Sequence, residues 1–549
     1  MRFKTKILLV PLLLMAALGL AQNPPHFQHI IIVFQENRTP DNLFGGNISL
    51  LPGADLQTGP KSPGSWCLGA CFDPNHGHTP WETMWNYNNQ GWQGGIGACY
   101  EGYADTCFIF TPFSTCNGQV VNPPLPDCVQ QTYVDYNYDG GVVQPYFEIA
   151  QNYGFGNYMF ATNEGGSFPA HQFILSGTSA PSGTINGLDY HFFASENPTH
   201  QTDTGCAGSG SDSVLVIDTT GNEHNYPPVK PCFDHNSLPT LLDNAVPNPI
   251  SWKYYTSGEK GIWTAPNAIQ ELCLPLVPQG SKLECGNPDW INKVVLDPGQ
   301  VLVDLGMGTI PQRCALPQVS WVIPNGDRSD HPGFQATENS STDIEGGPAW
   351  VADIVNAVGT TTCTDNGTPY WQDTAIFIAW DDWGGWWDHI NPATVPGIGV
   401  YNNCQSWGCG YTWGFRVPLL VVSAYTGIYK NGTYYPYISG DTRTQGMTFP
   451  YIHDFGSILG FIENNFGLGI GNINKVNNYP FDDYYAPDAQ GGNIPLADFF
   501  NQIPINKPRP FVYINIPPAW QSYDYNYFIN YFANGNPPLD PDNDAVDND

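Results

Sequence analysis

The sequence predicts an α/β fold, one large domain with a central, mostly parallel sheet and helices on both faces. Two observations carry this expectation. The runs 29–34 and 374–380 are continuously apolar and rich in β-branched residues, as strands buried on both faces must be. Two more apolar runs, 318–323 and 416–423, are separated from these by helical stretches rather than by hairpin turns.

Taken in order, the chain opens with an export signal over residues 1–21. Arg2, Lys4 and Lys6 precede an apolar run from Ile7 to Leu20, and small residues at Gly19 and Ala21 fit cleavage after Ala21. That run is short for a membrane span, and no later stretch approaches transmembrane length, so the mature protein is expected to be exported. The strand at 29–34 delivers Glu36 and Asn37 at its carboxyl end, where open α/β sheets bind ligands. An acid and an amide placed there read equally as turn formers or as ligands.

Residues 51–141 are rich in Gly, Pro, Asn and Cys and read as a disulfide-tied insertion carrying His76 and His78. A helix is predicted from Gln144 to Tyr153. Next comes Gly165-Gly166-Ser167-Phe168-Pro169, in which Pro169 suits a first helical turn and Ser167 reads as the N-cap or close to it. A hydroxyl there sits at the positive end of the helix dipole, and the glycines allow close approach. Most such strings are simple capping turns, and Ser167 by itself fits either a cap or a serine that attacks phosphorus.

Strands are predicted at 213–217 and 250–255, with a capped helix at 237–244; residues 257–315 read as loop. The strand 318–323 empties into a segment holding Asp330 and His331. After a helix at 347–358, the strand 374–380 empties into Asp381-Asp382-Trp383-Gly384-Gly385-Trp386-Trp387-Asp388-His389. Adjacent carboxylates at a buried strand end are costly unless a cation or a proton neutralises them, which favours a metal site. An amphipathic helix spans 454–466 with Gly467 after it, and the chain closes in an acidic tail.

Composition excludes some partners. The formal charge is −32, falling to −35 once the three basic residues of the signal are removed, so nucleic acid and anionic surfaces would repel the protein. With 12% charged and 14% aromatic residues the acidity is not that of a disordered chain. Fourteen cysteines in an exported chain allow up to seven disulfides, with Cys67/Cys71 and Cys404/Cys409 as local candidates. Asn47, Asn366 and Asn431 head glycosylation sequons.

These stretches stand in one order: Glu36-Asn37-Arg38-Thr39-Pro40-Asp41, Gly165 to Gln172, Asp330-His331-Pro332, Trp380 to His389, Arg416-Val417-Pro418, and Ser457 to Glu463. Together they resemble the bacterial phosphoesterase family of acid phosphatases and phospholipases C. The resemblance implies an alkaline-phosphatase-like three-layer sandwich, spanning about residues 29 to 468, with disulfide-tied loop insertions. It also implies one divalent metal ion held by Glu36, Asn37, Asp381, Asp382 and the hydroxyl of Ser167, with Ser167 as nucleophile and a phosphoseryl intermediate. His331 and His78 resemble the family's phosphate-contacting histidines. The residue before the nucleophile, often proline in the family, is Gly166 here, and the second acid of the pair, often glutamate, is Asp382.

The domain plan is a signal at 1–21, a catalytic domain at 22–500 and a C-terminal extension at 501–549. The substrate expected is a phosphate ester, either a small molecule or a phospholipid head group. Two other readings fit a tryptophan-rich exported chain: a glycosidase using neighbouring acids, and a non-catalytic binding protein with an aromatic-lined pocket.

Overall fold

The structure is a computed structural model that describes residues 24–58, 76–78, 81, 140–179, 193–217, 223–307, 314–331, 346–390, 413–445, 451–470 and 494–518, with a few shorter pieces between them. Its centre is an eight-stranded sheet. In chain order the strands are β1 (His29–Gln35), β2 (Gly154–Gly156), β3 (Trp252–Tyr255), β4 (Val294–Val295), β5 (Val319–Val322), β6 (Thr374–Trp380), β7 (Leu419–Ser423) and β8 (Tyr437–Ser439). Across the sheet they run β4-β3-β5-β1-β6-β7-β2-β8, and β7 alone is antiparallel to its neighbours. The mostly parallel sheet expected from the apolar runs is therefore present.

β1 and β6 form the central seam, paired without a slip from His29↔Thr374 to Gln35↔Trp380. Every residue of both strands is buried, which is why neither shows an apolar–polar alternation. Successive side chains on a strand point to opposite faces, so neighbours on β1 report what covers each side. Phe34 packs edge-on against His171 and Phe455, which belong to α3 (Ser167–Ser176) and α6 (Phe455–Asn465). Gln35, facing the other way, reaches Tyr146 of α2 (Gln144–Asn152) and the Gly347 carbonyl that opens α5 (Gly347–Thr360). Helices thus cover both faces, and the three layers follow. In chain order the remaining helices named here are α1 (Pro40–Phe44), capped by Thr39, and α4 (Leu238–Asp243), capped by Ser237. Asp454 and Ser457 close a reciprocal capping box on α6, with Gly467 at φ 70° after it.

Several expectations need correcting. The segment 257–315 is not loop: it holds short helices, a hairpin pairing Leu276–Gln279 with Lys282–Cys285, and β4 of the main sheet. The apolar run from Arg416 becomes a strand only at Leu419, and it runs against its neighbours. Asn366-Gly367 and Asn431-Gly432, read as sequons, turn two small hairpins with φ of 49° and 89°, and 54° and 84°.

Three disulfides, Cys206–Cys232, Cys273–Cys285 and Cys314–Cys363, account for every cysteine among the described side chains. Cys67/Cys71, Cys404/Cys409, the leader and the acidic tail lie outside the described residues, as does most of the 51–141 insertion. Residues just beyond 500 pack on the same core, with Ile503 and Ile514 fully buried. No helix among the described residues is long and apolar enough to cross a membrane.

Candidate active site

The parallel register that ends at Gln35↔Trp380 sends the next residues, Glu36 and Asp381, out of the sheet side by side. The Asp381 amide donates to the Gln35 carbonyl (2.9 Å), and the Glu36 amide donates to the Ser329 carbonyl beyond β5 (2.7 Å). The chain then turns sharply. Asn37 takes a left-handed conformation (φ 57°), and its amide donates to Asp381 Oδ1 at 2.8 Å. Backbone in that region is costly for a non-glycine residue and persists where the surroundings dictate it. The second turn interlocks with the first: a Cβ on Gly384 (φ 61°) would lie 2.3 Å from the Asn37 carbonyl oxygen, so only glycine fits.

Ser167 opens α3, but it does not cap it. Gly166 is the N-cap, and the Phe168 amide is satisfied by Asn197 Oδ1 at 2.8 Å. The Ser167 hydroxyl instead donates to Glu36 Oε2 at 3.0 Å. Gly165 is pressed against a neighbouring segment, where an added Cβ would sit 2.1 Å from the Ser195 carbonyl oxygen. Asn163 ties the turn together by donating to the carbonyls of Gly165 (2.6 Å) and Gly166 (3.1 Å).

Glu36, Asn37, Ser167, Asp381 and Asp382 are all fully buried. Burial first, then the charges of Asp381 and Asp382, push the Glu36 carboxyl well above its usual range, while its bond from Ser167 works in the opposite direction. One residue here was not singled out from the sequence. His171 lies one turn beyond Ser167 on the same face of α3, and its Nε2 is 2.9 Å from Glu36 Oε1. Burial pushes His171 down to about 4, against a smaller upward pull from Asp381.

The donor set suits a hard divalent cation. Asp381 Oδ1 is occupied by the amides of Asn37 and Asp382 (2.8 and 2.7 Å), whereas Asp381 Oδ2 and Asn37 Oδ1 are buried with no hydrogen-bond partner. Glu36, His171 and Asp381 each present a ligand atom, all within 4.8 Å of one another. Carboxylates with an orphaned amide oxygen in a dry site are what an oxygen-seeking ion requires.

The expected histidines lie around this centre. His331 follows Asp330, whose backbone is also left-handed (φ 72°) and whose carboxylate accepts from Tyr146 (2.6 Å) and Trp380 Nε1 (3.0 Å). Burial pushes Asp330 up to about 6, with those two bonds and Arg38 opposing it. His78 stacks on Trp81 and lies against the Glu164 carbonyl (Nδ1 at 2.9 Å), close to the turn before Ser167. His76, named with His78 in the insertion but given no role from the sequence, also lies here. Its Nε2 lies 2.9 Å from Asn37 Nδ2, and its ring faces that of His331 at 6.0 Å.

Arg416 and the Asp388-His389 pair stand apart from the chemistry. The fully buried Arg416 guanidinium binds Asp388 Oδ2 (3.0 Å) and the carbonyls of Asp55 (2.8 Å) and Asn157 (2.9 Å), and lies 3.5 Å from Asp41. His389 bridges Asp41 (2.6 Å) and Asp55 (3.1 Å). This network clamps the loops after β1 and β6 to each other, and so holds the turns at Asn37 and Gly384 in register.

In comparison with known proteins, the model of the phosphoesterase family matches residues 27–469. Among relatives, a non-hemolytic phospholipase C of Pseudomonas aeruginosa is 24% identical over 233 residues, covering 36% of this chain and 28% of that protein. Phospholipase C A of Mycobacterium tuberculosis is 29% identical over 20% of this chain and 21% of its own length. Phospholipase C B of the same organism is 23% identical over 75% of this chain and 71% of its own. The first two alignments thus take in less than a third of either relative. A solved protein of the alkaline phosphatase superfamily from Vibrio parahaemolyticus aligns over 59% of this chain and 60% of its own, at 11% identity and a TM-score of 0.25, a likeness too loose to build on.

Proposed function

The chain belongs to the phosphoesterase family, and from that premise we propose that it hydrolyses phosphoric esters, with Ser167 as nucleophile and Glu36, Asn37, Asp381 and Asp382 holding one divalent cation. The observation that carries this reading is the aim of the Ser167 hydroxyl: from the first turn of α3 it points into the buried carboxylate cluster and caps nothing.

A cation bound by those oxygens supplies positive charge that acidifies a neighbouring hydroxyl and offsets charge on a phosphoryl group. The chain's own groups do the rest. Ser167 Oγ, at the positive end of α3, attacks phosphorus as its proton leaves toward Glu36 Oε2, the acceptor it already faces. His171, bonded to Glu36 Oε1, fixes the orientation of that carboxylate. The new Oγ–P bond forms as the P–O bond to the leaving alcohol breaks, and the alcohol oxygen takes a proton from His331 or His78. Water then attacks the phosphoseryl ester, releasing phosphate or a phosphorylated head group and restoring the hydroxyl.

The names of the relatives favour a phospholipid substrate, and the metal-centred serine serves a small phosphomonoester equally well. An exported protein is supported by the leader at residues 1–21 and by the three disulfides. The decisive experiment is release of nitrophenol from an aryl phosphate, and of phosphocholine from phosphatidylcholine vesicles, with and without a chelator. Chelator-sensitive turnover of either is the expected result and separates an esterase from a non-catalytic binding protein. No turnover after loading with Mg²⁺, Mn²⁺, Ca²⁺ or Zn²⁺ would refute the proposal.

A further inference from the structure

A second polar cluster is buried at the opposite end of the central seam, roughly 20 Å along β1 from Glu36. It consists of His29, the first residue of β1, Asp373, just before β6, and Asp365, in the Asn366-Gly367 hairpin. His29 Nδ1 lies 2.8 Å from the Pro317 carbonyl, which can only accept, so Nδ1 carries the hydrogen. Nε2 points at Asp365 Oδ2, 2.5 Å away, and in a neutral ring that atom offers a lone pair. Asp373 adds a second carboxylate that is 6% exposed, and neither of its oxygens has a hydrogen-bond partner. One ligand atom from each residue lies within 4.8 Å of the other two.

A protonated His29 would pair with Asp365 but leave Asp373 buried without a partner, where it must take up a proton or a cation. A divalent cation answers all three groups: it takes the Nε2 lone pair and balances both carboxylates. We propose that His29, Asp365 and Asp373 form a second divalent-metal site that braces this end of the sheet, its imidazole nitrogen and carboxylate oxygens being ligand types zinc accepts. A backbone carbonyl orienting the ligating imidazole is the usual outer partner of such a histidine. The ligands are held in place beforehand: the Cys314–Cys363 disulfide joins the segments carrying Pro317 and Asp365, and the Gln28 amide donates to the Asp373 carbonyl at 2.8 Å. The Asp365 side chain is 32% exposed, which gives an ion a way in.

The test is zinc stoichiometry by mass spectrometry on the full chain, loaded with Zn²⁺ and gel-filtered. His29→Gln should hold one ion fewer than the wild type while keeping aryl phosphatase activity. Asp381→Asn should keep the ion that His29→Gln loses. Added Zn²⁺ should raise the melting temperature of chelator-treated wild type more than that of His29→Gln. If His29→Gln does not fold, Asp365→Asn, at the exposed edge, carries the same comparison. Equal zinc content in wild type and variant overturns the proposal and leaves a plain ion pair.

Discussion

Ser167 Oγ donates a 3.0 Å hydrogen bond to Glu36 Oε2 across 131 residues of sequence. Because Gly166 caps the helix, Ser167→Ala removes one buried bond and no cap. The variant is expected to fold at a cost of about 1–3 kcal/mol, measured by urea denaturation. Turnover should fall by about three orders of magnitude or more, since a lost nucleophile removes covalent catalysis altogether. Acid quench of the wild type during turnover should leave phosphate on the peptide containing Ser167. Full activity in the alanine variant would rule the assignment out.

Asp381 joins the turns at Asn37 and Asp382 through its Oδ1 and, in the proposed site, would ligate the cation through its unpartnered Oδ2. Asp381→Asn keeps an acceptor for the Asn37 and Asp382 amides while removing a charge. Bound metal, read by elemental analysis, and kcat should therefore fall together, with the melting temperature of the chelator-treated protein nearly unchanged. A variant with normal metal content and low activity would give Asp381 a different job.

The two glycines before Ser167 should differ in tolerance. Gly165→Ala drives a methyl to 2.1 Å from a backbone carbonyl, whereas at Gly166 the nearest obstacle is the Asn197 side chain at 2.9 Å. Gly166 also sits at φ −66°, the angle that proline enforces. Gly166→Pro is expected to keep at least about a tenth of wild-type kcat/KM and Gly165→Ala to lose more than that. The reverse order would contradict the packing described.

The clamp around His389 sets a pH window for stability. Burial opposes a charged His389, but Asp41, then Asp55, outweigh it and push the imidazole up to about 9. Asp55 is held down at about 2 by His389 and Arg416, against its own burial. A raised histidine stabilises fully below its unfolded value of about 6.5 and loses that contribution as pH climbs through 9. The depressed Asp55 contributes above about 4 and loses its share as pH falls toward 2. The two shifts share the His389–Asp55 contact, and the clamp as a whole is worth on the order of 3 kcal/mol. The clamp's contribution to the unfolding free energy should be greatest between roughly pH 4 and 6.5. His389→Gln should lie below wild type in that window and approach it near pH 10; a constant gap at all pH values would rule out the charged clamp.

Legibility from sequence followed burial. β1 and β6 were readable nearly to the residue because strands covered on both faces must be uniformly apolar, and reading them placed Glu36, Asn37, Asp381 and Asp382 at strand ends. β2 and β8 escaped because three-residue strands carry no periodicity. The direction of β7 was hidden because an apolar run does not encode which way it points. His171 could have been found: it stands four residues after Ser167 in a helix, hence on the same face. His76 could not be ranked against His78 without the Asn37 turn in view. The hairpins at Asn366-Gly367 and Asn431-Gly432 were there to be read as type I′ turns, and attention to the sequons masked them. Disulfide partners 12 to 49 residues apart had no local signature.

The left-handed turn at Asn37 has a consequence for the order of events during synthesis. Its amide is satisfied by a carboxylate 344 residues later, so nothing near it in the chain can hold that conformation. A ribosome that has made the first strand has made half of a binding site with no means of shaping it. The site closes only when β6 docks along the seam, after some two thirds of the polypeptide has emerged. An incomplete chain therefore lacks the paired turns of the candidate site, and any activity built on them must wait until most of the polypeptide has been made.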